Sequence, residues 1–144
     1  MIKTILCAVD INRPDEEKEV LTTASKLAEV EGAQLDVITV VPDFGMSVVG
    51  AYFQDHQVEP AKERAIELLK ELTKATLGAE QDARVRHVVA VGTVYEEVLR
   101  AAELGAADLI VIGAHRPDLK DYLLGPNAAR VVRHSDCSVY VVRH

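Results

Sequence analysis

Short apolar runs rich in β-branched residues alternate along this chain with segments of helical periodicity. That alternation limits the possible fold more than any other feature. Residues 2–9, 34–41, 84–91, 108–113 and 138–142 read as strands. Residues 14–30 place Val20, Leu21, Ala24, Leu27 and Ala28 on one helical face, and Gly32 ends the pattern. Residues 59–77 turn Ala65, Ile66, Leu69, Leu72 and either Ala75 or Thr76 toward the core, with Gly78 behind them. Thr93 stands where it would cap a helix running to Leu104, and a last helix is expected over 127–134. The result is an α/β protein: an open, five-stranded, mostly parallel sheet with helices on both faces. Right-handed crossovers leave few topologies, and such sheets bind ligands beyond the carboxyl ends of their strands, where the winding reverses.

At 144 residues with 49% apolar content, the chain is long enough for one domain with a substantial core. No Gly/Ser- or Pro-rich linker divides it. Its formal charge of −7 comes from 16 basic and 23 acidic residues. Nucleic acid and anionic membrane both need a basic surface, so neither is an expected partner. No apolar run approaches the length of a membrane span. A first strand opening at Ile2 leaves no room for a signal peptide, and the expected compartment is the cytoplasm. Cys7 and Cys137 read as buried free thiols.

The stretch 108–144 carries the chemistry. A strand ends on Gly113, a polar loop follows, and Gly125 closes it before Pro126 and Asn127 open a helix. Glycines let backbone approach an anion, and a helix start offers unpaired N–H groups and partial positive charge. The segments Thr4-Ile-Leu-Cys-Ala-Val-Asp10, Val37-Ile-Thr-Val-Val-Pro42, Ile112-Gly-Ala-His-Arg-Pro-Asp118 and Tyr122-Leu-Leu-Gly125 resemble the universal stress protein family, in particular its short single-domain nucleotide-binding branch. The resemblance spans essentially the whole chain. It implies strand order 3-2-1-4-5, an adenine nucleotide (ATP or AMP) as ligand, and a homodimer paired through the last strand at Val139, Tyr140, Val141 and Val142.

Carried over residue by residue, the resemblance puts Asp10 at the ribose and Ala8, Val9 and Val40 along the adenine. Gly113, His115, Arg116, Gly125, Pro126 and Asn127 would surround the phosphates. The chain departs from the family's ATP pattern in three ways: Arg116 replaces a glycine, the spacing from it to Gly125 is one residue short, and Pro126 stands in place of Ser or Thr. Arg116 could offer a guanidinium fork to phosphate instead, and proline suits a first helical position. Other readings stay open. Asp10 could be a strand-end turn residue, Val9 and Val40 plain core, and His115 a packing residue rather than an acid–base group. Asp118 and Asp121 could hold Mg²⁺ or be solvated charges, and Arg130 and Arg133 could reach phosphate or only complement a helix dipole. Residues 43–57, with Phe44, Met46, Tyr52 and Phe53, could form a lid, a dimer contact or a further short helix. The five histidines show no ligand spacing, so no zinc site is expected. No Walker lysine follows a glycine loop, and no residue set points to turnover. A slow ATP hydrolase using Arg116 with His115 or Asp118, or a dimeric scaffold without nucleotide, are the alternatives to a binding protein.

Overall fold

The computed structural model describes residues 1–42, 48–114 and 125–143, with backbone alone for 48–58 and 125. The strands are β1 (Thr4–Ala8), β2 (Gln34–Pro42), β3 (Arg86–Gly92), β4 (Leu109–Ala114) and β5 (Ser138–Arg143). The helices are α1 (Pro14–Glu31), α2 (Val48–Leu77), α3 (Ala79–Asp82), α4 (Val94–Leu104) and α5 (Gly125–His134). All strand pairs are parallel, in the expected order β3-β2-β1-β4-β5. Chain winding reverses between β1 and β4, which pair with Ala8 opposite Ile112.

The period-2 alternation of the strands divides the core in two. Ile5, Cys7, Val9, Val37 and Val111 pack with Val20, Leu21 and Ala24 of α1 and with Leu69 and Leu72 of α2. Leu6, Ala8, Ile38, Ile110 and Ile112 pack on the other face with Val98 and Ala102 of α4 and with Ala128 and Val131 of α5. Buried on both faces, the central strands read as continuous apolar runs. α1 ends on Gly32, whose φ of 64° is left-handed and whose N–H returns to Ala28 and Glu29 carbonyls.

Helix 2 departs from expectation. Residues 48–57 have no amphipathic period, yet they extend α2 backward, through Pro60, into one helix. Pro60 lacks the N–H for one helical bond but does not end the helix. The side chains of Tyr52 and Phe53 lie outside the described residues, as do Phe44 and Met46. Within α2, Thr73 is buried, Thr76 is partly buried and Ala75 is exposed. Thr73 turns inward because its hydroxyl bonds Asp82 of the unforeseen α3 and meets His87 Nε2 of β3 at 2.8 Å. Cys7 is fully buried, whereas Cys137 is only partly covered, with its sulfur 3.4 Å from the Ser135 hydroxyl.

Candidate functional site

The carboxyl ends of β1 and β4 meet at the switch point, the place where sheets of this kind form a ligand crevice. Asp10, two residues past β1, is buried at 9% exposure. Its Oδ1 accepts the Asn12 N–H at 2.9 Å, a turn that the residue type favours. Its Oδ2 is buried with no hydrogen-bond partner among the described residues. One oxygen of Asp10 thus shapes the turn that follows β1.

Gly113 is needed for a reason the sequence did not disclose. Its φ is not in the left-handed region, but a Cβ there would lie 2.9 Å from Val20 Cγ2 and 3.7 Å from Glu17 Oε2. The glycine lets α1 pack directly on β4. Glu17, which the sequence reading did not single out, is buried at 1% exposure. Its Oε1 accepts the Asp10 N–H at 3.2 Å. Burial, together with the nearby Asp10 and Glu16 carboxylates, pushes Glu17 up to about 8 against the opposing pull of the Asp10 N–H and Arg13. The signal that could have found it is spacing. Glu17 lies three residues before Val20 and four before Leu21, on the inward stripe of α1.

The expected adenine contacts are split by the sheet. Ala8 and Val40 belong to the α4–α5 face, whereas Val9, at 4% exposure, is core on the α1–α2 face. Pro126 is exposed in the first turn of α5. Asn127 has a structural task. Its Oδ1 accepts the Tyr95 N–H at 3.2 Å and so caps α4, while Thr93 occupies the cap position without a side-chain bond. Arg130 stacks on the Tyr95 ring, 5.0 Å from its centre. His115, Arg116, Asp118 and Asp121 lie outside the described residues. Among the described residues no group of three His, Cys, Asp or Glu side chains is arranged to hold a metal.

β5 forms one edge of the sheet, bonded to β4. Along it Tyr140 is 45% exposed, Val139 and Val141 are partly covered, and Val142 is buried. Among the described residues no helix is long and apolar enough to cross a membrane.

The strand order defines a doubly wound α/β protein with its switch point between β1 and β4. The chain belongs to the universal stress protein family, whose model matches residues 1–143. It is 30% identical to universal stress protein G of Escherichia coli O157:H7, over 99% of this chain and 100% of the relative. Universal stress protein UspA from Lactobacillus plantarum shares the fold with a TM-score of 0.71 at 23% identity, covering 99% and 98% of the two chains. A universal stress protein solved in complex with cAMP has a TM-score of 0.64 at 20% identity, covering 99% and 97%.

Proposed function

We propose that the crevice binds an adenine nucleotide, ATP or AMP, and that the protein works as a dimeric binding module in a cytoplasmic stress response. The observation that carries the nucleotide reading is Asp10 Oδ2, a buried oxygen with no partner among the described residues, at the sheet's switch point. Leaving such an acceptor unpaired costs on the order of 1–3 kcal/mol. Ribose hydroxyls are donors of the kind it requires. A protein of the same fold is solved with cAMP, which contains the same nucleoside.

In this reading Ala8 and Val40 adjoin the base, which leaves Val9 to the core. α5 opens downstream of β4 at Gly125 and Pro126, and helix starts favour anions. Arg116 and His115 would meet the phosphates, and Asp118 and Asp121 are the residues that would hold Mg²⁺. Binding rather than turnover is proposed. The test is to denature the purified protein and assay what it releases, beside a phosphate-release time course. Adenine nucleotide in the supernatant with a flat phosphate trace supports the reading. A protein that releases none and takes up none when titrated contradicts it, and steady phosphate release makes it an enzyme.

A further inference from the structure

Glu17 is buried beside the ends of β1 and β4. An apolar residue would fill this position of α1 without the cost of burying a carboxyl. Glu17 instead spans the ends of both strands that flank the switch point. Oε1 takes the Asp10 N–H at 3.2 Å, and Oε2 lies 3.7 Å from where a Cβ on Gly113 would stand. Facing it are the Cys7 thiol and the Asp10 carboxyl from β1 and the turn after it, and Arg13 and Glu16 from its own helix. On the β4 side it meets the backbone of Gly113. One oxygen thus serves the residue proposed to hold ribose. The other points to the strand end where phosphate is expected.

We propose that Glu17 is a positioning residue that couples capture of a phosphate-bearing ligand to a proton: its carboxyl holds the Asp10 turn, and once ionised it opposes phosphate beside Gly113. This rests on the crevice taking a nucleotide. The buried carboxyl keeps its proton up to about pH 8. A phosphate placed above it disfavours the carboxylate further. Linkage is reciprocal, so the protonated protein binds phosphate more tightly. Affinity is then flat at lower pH and falls by up to about tenfold per pH unit once Glu17 ionises.

The test is calorimetric titration of AMP and adenosine into wild type and Glu17→Gln from pH 6.5 to 9.5. Glutamine keeps the size of the side chain and an acceptor for the Asp10 N–H. Titration of the ligand's own phosphate is common to both proteins and cancels in their ratio. Wild-type affinity for AMP should fall about tenfold between pH 8 and 9.5, with adenosine nearly constant and Glu17→Gln flat for both. Carbon-13 titration of the Glu17 carboxyl in wild type needs no variant, and AMP should raise its midpoint. Parallel pH profiles for the two proteins, or a midpoint that AMP leaves in place, overturn the coupling while nucleotide binding stands. Failure of AMP and ATP to bind wild type at any pH removes the nucleotide reading itself, and the coupling with it.

Discussion

Gly113 and Val20 show how narrow the tolerance is at single residues. A methyl group on Gly113 would meet Val20 Cγ2 at 2.9 Å, with α1 and β4 both held in the core. Gly113→Ala should cost about 1–3 kcal/mol. Adding Val20→Ala should recover part of it, and chemical denaturation of the single and double variants checks this. Glu17 gives stability a pH dependence. In the fold it keeps its proton to about pH 8, against an ordinary value of 4.5. Between those values the native state binds the extra proton, so this contribution is full below 4.5, declines as pH rises, and is gone above about 8. Glu17→Gln should therefore raise the melting temperature by several degrees at pH 8 and change it little at pH 4.5. Cys7 is also pushed up, by burial first and by Glu17 second. Iodoacetamide should label partly covered Cys137 in the native protein and reach Cys7 only after unfolding, as peptide mass spectrometry would show.

Elements were legible in the sequence where a buried face imposed a period. α1 and all five strands lie within two residues of their expected bounds. Residues 48–57 were opaque because they have no such period, and Pro60 lies inside the helix they extend. Local chemistry misled again at α4. Thr93 is the right residue at the right position, but the capping bond comes from Asn127, 32 residues beyond Tyr95, a pairing that only the packing of α5 on α4 creates. Asn127→Ala should cost about 1 kcal/mol, and Thr93→Ala much less. Equal losses in thermal denaturation would return the cap to Thr93. The position of Asp10 beside the switch point was legible because strand order follows from topology, whereas the burial of Glu17 required knowing which residues of α1 touch β4.

For the whole molecule, β5 is the edge from which a second copy could extend the sheet. Val139 to Val142 carries none of the charges or prolines that commonly guard an edge, and pairing two such strands antiparallel satisfies both rows of N–H and C=O groups. Sedimentation at micromolar concentration should give a dimer. Val141→Pro or Val142→Pro, whichever removes the outward N–H, should give a monomer. A wild-type monomer, or a dimer that survives both changes, would place the interface elsewhere or nowhere.

The central claim is that Asp10 Oδ2, buried without a partner among the described residues, holds a nucleoside. Asp10→Asn tests it most directly, because the amide keeps an acceptor for the Asn12 N–H while presenting a donor in place of Oδ2. Calorimetric titration with AMP should show a loss of about tenfold to a hundredfold in affinity, with the melting temperature of the ligand-free protein nearly unchanged. Wild-type affinity in the variant would contradict the account, since Asp10 Oδ2 would then have no part in holding the ligand.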